Sequence, residues 1–397
     1  MGPDPSIERR SSSAADPIVV IGGGAVGSAV ACFLTLMRPG CPVIVIERDA
    51  TYRCASSALS ASSIRQQFSC AINIALSHFG IEFLRSAGPE IGLVERGYLY
   101  LATHAGEPIL RSIHQIQRAE GADVQLLSPG ELRERFPWLG TDGIALGSLG
   151  LSGEGWFDGY GLLQAFRKQA VAQGAVYRHE EAAGFDVVSH DGVDHVGAVR
   201  LASGERILCS AAVNAAGAWA RPVAQWAGID LPVHGRCRSV FHFTCPTPLS
   251  QCPLLIDPSG VWVRPEGAGF IAGFSPSEEN DPDDAPLDPD HAAFESHVWP
   301  ALAQRIPAFE ALRLKSAWAG YYEMNVFDHN AIVGLHPACD NLYFANGFSG
   351  HGLQQSPGVG RGLAELILTG RWQSLNLDAL GFRRILSGDA LVERNVI

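Results

Sequence analysis

Residues 17–27 read Pro17-Ile18-Val19-Val20-Ile21-Gly22-Gly23-Gly24-Ala25-Val26-Gly27. The β-branched run Ile18–Ile21 has the look of a strand buried on both faces of a parallel sheet. Gly22, Gly24 and Gly27 then occupy the three positions of G-x-G-x-x-G. Ala25 to Leu36 reads as a helix of small and apolar residues, Pro39-Gly40 breaks it, and Val43 to Ile46 makes a second strand ending on Glu47. Each part has a physical task. Gly22 permits a tight turn out of the strand, Gly24 lets backbone approach a pyrophosphate, and Gly27 lets helix and sheet pack closely. The helix start offers free N–H groups and a positive dipole end to phosphate. Glu47, 25 residues after Gly22, is placed to accept both ribose hydroxyls and to repel a 2′-phosphate. Strand, turn, helix and acid together predict a dinucleotide cradle. The motif does not by itself separate FAD from NAD.

Far along the chain the pattern recurs. Asn341–Ala345 reads as a strand, followed by Asn346-Gly347-Phe348-Ser349-Gly350-His351-Gly352-Leu353-Gln354-Gln355-Ser356-Pro357-Gly358-Val359-Gly360, and then a helix from Arg361 to Thr369 stopped by Gly370. A second glycine-lined helix start suits a long planar ligand whose far end also needs N–H donors. Beside a flavin ring such a start would stabilise the negative charge of the reduced form.

The remaining features bound the answer. The chain has 397 residues, 47% hydrophobic and 18% charged, a globular balance long enough for two domains. A net charge of −12 argues against nucleic acid and anionic membrane surfaces as partners. Nine cysteines without C-x-x-C spacing read as reduced thiols of a cytoplasmic protein, with no metal site expected. No apolar run is long enough to span a membrane. Residues 1–16 read as a disordered leader. Glu278 to Asp290, with seven acids and three prolines, reads as a solvated loop. Phe241-His242-Phe243, Val261-Trp262-Val263 and Phe270-Ile271-Ala272 have the look of strands.

The turn Gly347-Phe348-Ser349-Gly350-His351-Gly352, the segment Pro357-Gly358-Val359-Gly360 and the N-terminal cradle together resemble the D-amino-acid oxidase-like family of FAD-dependent oxidoreductases, which includes sarcosine oxidase, glycine oxidase and dimethylglycine dehydrogenase. Val213-Asn214-Ala215-Ala216-Gly217-Ala218-Trp219, Ala55 to Ser69 and Trp318-Ala319-Gly320-Tyr321-Tyr322-Glu323 fit the same resemblance. Within the family the chain is most similar to the FAD-dependent oxidoreductase domain-containing subgroup. The resemblance covers roughly residues 17–375. It implies an α/β fold: a Rossmann-type FAD-binding domain over 17–90, 151–225 and 320–397, and an antiparallel-sheet α+β substrate domain over 91–150 and 226–319. It implies FAD contacts at Gly22, Gly24, Ala25, Val26, Gly27, Glu47, Arg48, Ser56, Ser57, Ala216, Gly217, Trp219, Gly350, His351, Gly352, Leu353 and Gln354. For Ser56 and Ser57 a plain polar loop is the competing reading.

The resemblance also assigns substrate-side roles. Arg65 matches the arginine that holds the substrate carboxylate in sarcosine oxidase; a structural salt bridge or a pyrophosphate contact is the alternative. Gln354 stands where that enzyme has a second cationic ligand, and Tyr322 where glycine oxidase has its carboxylate-binding arginine. Both are neutral here. Tyr322 is either a substrate contact or a tyrosine packed under the ring, and His351 either a flavin contact or a helix cap. Ile271 stands where sarcosine oxidase has its oxygen-activating lysine, and Tyr321 where it tethers the flavin through cysteine. These departures imply non-covalent FAD, put direct oxidase activity in doubt and leave dehydrogenase activity open. The implied reaction is oxidation of the C–N bond of an amino acid or secondary or N-methylated amine. Hydride goes to flavin N5, the imine hydrolyses, and oxygen or another acceptor takes the electrons. The competing readings are an amine without a simple carboxylate, and a flavin-bearing assembly factor with little turnover.

Overall fold

A computed structural model describes residues 16–395 of the chain, so the expected leader lies outside the described residues apart from Asp16. Two large sheets organise the fold. The first has six strands in the order Ile332–Leu335, Leu342–Asn346, Ala211–Asn214, Ile18–Ile21, Val43–Glu47, Val176–His179. All its pairings are parallel except that of the edge strand Ile332–Leu335. The central strand Ile18–Ile21 is buried at every position, as its unbroken β-branched run requires. Helix Ala25–Met37 follows it, packed between helices Gly159–Ala172 and Gly352–Thr369.

The second sheet has eight strands in the order Arg313–Asn325, Val233–Thr244, Gly269–Gly273, Trp262–Glu266, Leu254–Ile256, Tyr98–Ala102, Leu146–Gly150, Val124–Leu127. It is antiparallel except where Leu254–Ile256 runs parallel to Tyr98–Ala102. A small three-stranded sheet, Ala182–His190, Val193–Leu201 and Arg206–Leu208, flanks the first. The mixed α/β architecture with a parallel and a largely antiparallel sheet agrees with the expected fold class.

Two local expectations are corrected, and a third is refined. The C-terminal strand is Leu342–Asn346, one residue later than read from sequence. The helix expected from Arg361 begins at Gly352 and runs through Pro357. Proline cannot donate to the carbonyl four residues back, and Ser356 Oγ takes that place, donating to Leu353 O at 2.8 Å. The glycines that hid this helix are its packing face. A Cβ at Gly360 would lie 2.7 Å from Ala29 backbone carbon, and one at Gly358 would lie 2.7 Å from a Leu76 methyl. Helices Ala25–Met37 and Gly352–Thr369 therefore meet backbone to backbone.

The acidic segment keeps its expected exposure but gains a role. Residues 278–290 are mostly exposed, as expected of a solvated loop, but they are tethered as a strap along strand Val233–Thr244. His234, Arg236 and Arg238 alternate on that strand and so share a face. Asp281 takes two hydrogen bonds from Arg238, at 2.6 and 2.7 Å. Asp283 meets Arg236 at 3.0 Å and His234 at 2.7 Å, and Asp284 accepts from Gly235 N at 3.3 Å.

Among the described residues no cysteine is paired, no side-chain cluster suits a metal ion, and no helix is long and apolar enough to cross a membrane.

Candidate active site

Three adjoining cavities run from the parallel sheet to the face of the eight-stranded sheet. The largest, of about 1220 Å³, opens at the carboxyl ends of strands Ile18–Ile21, Val43–Glu47 and Ala211–Asn214. Its walls include Gly22, Gly24, Ala25, Val26, Glu47, Arg48, Ser56, Ser57, Ala216, Gly217 and Trp219, all expected cofactor contacts. Gly22 has φ +100°, and a Cβ there would lie 2.3 Å from Ala215 O. Gly27 lines none of the three cavities. A Cβ on it would lie 2.0 Å from Gly22 O, so its task is helix–strand packing. Helix Ala25–Met37 has no side-chain cap from Gly24 and no acid in its first turn. Ser57 Oγ accepts from Ala25 N at 3.0 Å, which places the serine loop on the helix start. The two Glu47 oxygens accept from Gly23 N at 2.8 Å and Asp49 N at 2.9 Å, fixing the acid at the cavity wall. Buried Asn214 shapes the opposite lip, accepting from Ala216 N at 3.2 Å and donating to Ala220 O at 2.8 Å. Arg48 lies over the Trp219 ring, 3.9 Å from its centroid, and Trp219 meets Tyr321 edge-on.

The second cavity, of about 760 Å³, shares Ala25, Val26, Ser56, Ser57 and Glu323 with the first. It is floored by the second helix start: Gly350, Gly352 and Leu353 line it. His351 stands at the N-cap position of helix Gly352–Thr369 without a side-chain cap bond. Gly350 has φ +92°, and a Cβ there would strike the Tyr322 ring at 2.5 Å. Strand Arg313–Asn325 forms the opposite wall with Gly320, Tyr321, Tyr322 and Glu323. Burial pushes the Glu323 carboxyl up to about 8, opposed by one hydrogen bond from Gly347 N.

The third cavity, of about 440 Å³, collects all four residues singled out for substrate: Arg65, Tyr322, His351 and Gln354. Tyr98, Leu254, Ile256 and Trp262 complete most of its wall. Arg65 is 2% exposed and lies flat on the Phe68 ring, 4.0 Å from its centroid. Its Nη1 donates to Gln67 O at 2.6 Å, and its Nη2 reaches His351 Nε2 at 2.9 Å and the Asn395 carbonyl. Three of five N–H groups are thus engaged, and the two left over do not form a parallel fork. Gln354 Oε1 accepts from Arg65 N at 2.7 Å, so the Gln354 amide N–H₂ is left to face the cavity. Burial, and secondarily the Arg65 charge, hold His351 well below the usual histidine range. Burial raises the Tyr322 phenol, which remains a protonated donor.

Sequence reasoning missed several residues here. Glu154, fully buried, accepts from Gln66 N, Gln67 N, Gln67 Nε2 and Tyr98 N at 2.7–3.2 Å. It clamps the Arg65 segment to the eight-stranded sheet. Arg238 lines the second cavity, its charge matched by Asp281. The alternation His234-x-Arg236-x-Arg238 was the available signal for it; Glu154 carried none. Ile271 lies in a buried cluster with Tyr98, Leu254 and Trp262 and lines none of the three cavities.

These residues fit FAD. Two helix starts, neither capped by its own N-cap side chain, open into one continuous run of cavities, with the acid Glu47 at one end and an aromatic wall at the other. Glycines stand at both helix starts, where a Cβ on Gly22 or Gly350 would strike Ala215 O or the Tyr322 ring.

Comparison with known proteins agrees. The model of the family described as FAD dependent oxidoreductase (DAO) matches residues 17–366. The FAD-dependent oxidoreductase domain-containing protein 1 of Xenopus laevis is 43% identical over 96% of this chain and 84% of its own. Glycine oxidase of Geobacillus kaustophilus (strain HTA426) is 28% identical over 88% of this chain and 92% of its own. The crystal structure of L-proline dehydrogenase from P. horikoshii superposes with a TM-score of 0.82 at 27% identity, over 94% of this chain and 99% of that one.

Proposed function

The chain belongs to the DAO family of FAD-dependent oxidoreductases, and on that premise we propose that it oxidises the C–N bond of an amino acid whose nitrogen is secondary or N-methylated. The observation that carries this reading is the 440 Å³ cavity, in which the single cation Arg65 stands among apolar and aromatic walls. When bound, FAD would supply the redox chemistry, a two-electron oxidation of the C–N bond whose imine product hydrolyses in water.

The protein's own residues bind and orient. Arg65 holds the carboxylate; a two-point grip displaces His351 or the Asn395 carbonyl from Nη2. The Tyr322 hydroxyl, which has no hydrogen-bond partner among the described residues, and the Gln354 amide supply neutral donors. The walls Tyr98, Leu254, Ile256 and Trp262 exclude water. Burial there disfavours an ammonium, so the amine enters the reaction neutral, with its lone pair available. The start of helix Gly352–Thr369 would favour negative charge on a reduced flavin held in the cavity it floors. With Ile271 in the core and Arg238 paired with Asp281, neither position offers a free cation to assist oxygen, which favours another electron acceptor.

The neutral Gln354 and Tyr322 and the engaged Arg65 fork favour one second reading, an amine that lacks a simple carboxylate. Arg65→Met separates the two. For a carboxylate substrate KM rises by roughly ten- to a hundredfold, the worth of a charged hydrogen bond. An unchanged KM removes Arg65 from substrate recognition and leaves the second reading.

A further inference from the structure

Five residues line both the first and the second cavity: Ala25, Val26, Ser56, Ser57 and Glu323. They form the neck through which any ligand filling both must pass. Glu323 is the one ionisable side chain among them. It comes from strand Arg313–Asn325, where neighbouring side chains point to opposite sides. Tyr322 lines the Arg65 cavity; Glu323 does not. Its carboxyl therefore faces the cofactor path rather than the substrate.

Four of the five neck residues lie at or against the N-terminus of helix Ala25–Met37, where phosphate is favoured. An ionised carboxylate across the neck would repel that phosphate. Little near Glu323 offsets its burial: among the described residues its side chain accepts one hydrogen bond, from Gly347 N at 3.2 Å, makes no ion pair, and otherwise meets only the start of helix Gly352–Thr369. Burial pushes the group up to about 8, so it is a neutral acid at neutral pH, with an O–H to donate.

Taking FAD as the ligand of these cavities, we propose that Glu323 is a cofactor contact that carries a proton and donates a hydrogen bond to the polar middle of FAD, its pyrophosphate or ribityl segment. FAD binding is then coupled to protonation of this carboxyl. Below the Glu323 midpoint the acid is already protonated and FAD binds without proton uptake. Above it, binding takes up to one proton per FAD from solvent.

Other ionisable groups face the same space. Tyr321 and Tyr322 precede Glu323 on its strand. Arg238, paired with Asp281, comes from strand Val233–Thr244, and His351 of the second helix start lies beyond, in the adjoining Arg65 cavity. Glu47, Arg48, Asp49, Tyr52, Cys54, Glu180 and Glu181 line the first cavity. Cys54→Ser serves as the background, so that no thiol on that wall contributes.

The test is FAD binding to flavin-stripped protein, read by quenching of FAD fluorescence across a pH range centred on about 8. Proton uptake is read by calorimetry in buffers of different ionisation enthalpy. The expected result is an affinity that is flat at lower pH and falls about tenfold per pH unit above the midpoint, with proton uptake rising towards one. Glu323→Gln, which keeps an acceptor for Gly347 N and a neutral donor, should bind FAD independently of pH and within a few-fold of the low-pH affinity. A flat profile and no proton uptake in the Glu323 protein overturn the proposal, and so does an equal decline in the Gln variant. Failure of FAD to bind at any pH instead overturns FAD as the ligand of these cavities.

Discussion

Arg65 Nη2 stands 2.9 Å from His351 Nε2. The guanidinium has only donors, so Nε2 accepts and the imidazole carries its proton on Nδ1. With burial and the neighbouring charge both opposing protonation, His351 is a fixed neutral acceptor. It orients Arg65 and does not shuttle protons in the physiological range.

That relationship sets the sign of a pH effect. In the unfolded chain His351 takes up a proton below about pH 6.5, while in the native state it stays neutral well below that. Stability is complete above the unfolded value and is lost as pH falls towards the native one. The slope from this residue is about 1.4 kcal/mol per pH unit. Denaturant unfolding of His351→Gln should show a shallower acid loss than the wild type. Parallel curves would mean that His351 does not carry this effect.

Much of this site was legible in the sequence because it is built from backbone conformation. Gly22, Gly24, Gly27 and Gly350 announce tight turns and close approaches, and the strand and helix around the first three follow directly. The third cavity likewise collects Arg65, Tyr322, His351 and Gln354. What stayed hidden depends on long-range pairing. The Asp281–Arg238 link spans 43 residues and tethers the exposed acidic loop as a strap. Glu154 gives no local sign, since its four donors come from two distant segments. The helical reading of Gly352–Thr369 was masked by glycines and Pro357, which are unfavourable until the packing against Ala29 and Leu76 is known.

The strap supplies a stability test. Arg238 and Asp281 have side chains 8% and 10% exposed. Breaking such a pair from one side costs about 3–5 kcal/mol, whereas replacing both partners with apolar residues recovers most of it. Asp281→Asn should therefore shift the denaturation midpoint strongly, and Arg238→Met with Asp281→Leu much less. Similar losses in both would deny the ion pair its role.

Glu154→Ala leaves four buried N–H groups without their acceptor. The expected loss is at least about 3 kcal/mol, with a raised KM because the Arg65 segment loses its clamp. A change in Tm with KM untouched would separate the clamp from substrate binding.

Gly350→Ala addresses the second helix start. The new Cβ would meet the Tyr322 ring at 2.5 Å. Gly40→Ala is the control: its φ is also positive, at +80°, but nothing lies within 4 Å. Both variants bear the backbone strain, and only Gly350→Ala should lose FAD, read as the ratio of flavin to protein absorbance after purification. Equal loading would place the flavin elsewhere.

The most direct measurement is anaerobic mixing of the FAD-loaded protein with amine pairs that differ only in the carboxylate, following the yellow flavin absorbance. N-methylated or secondary amino acids should bleach it, and their decarboxylated counterparts should require far higher concentrations. Colour that persists with every amine tested would contradict the account.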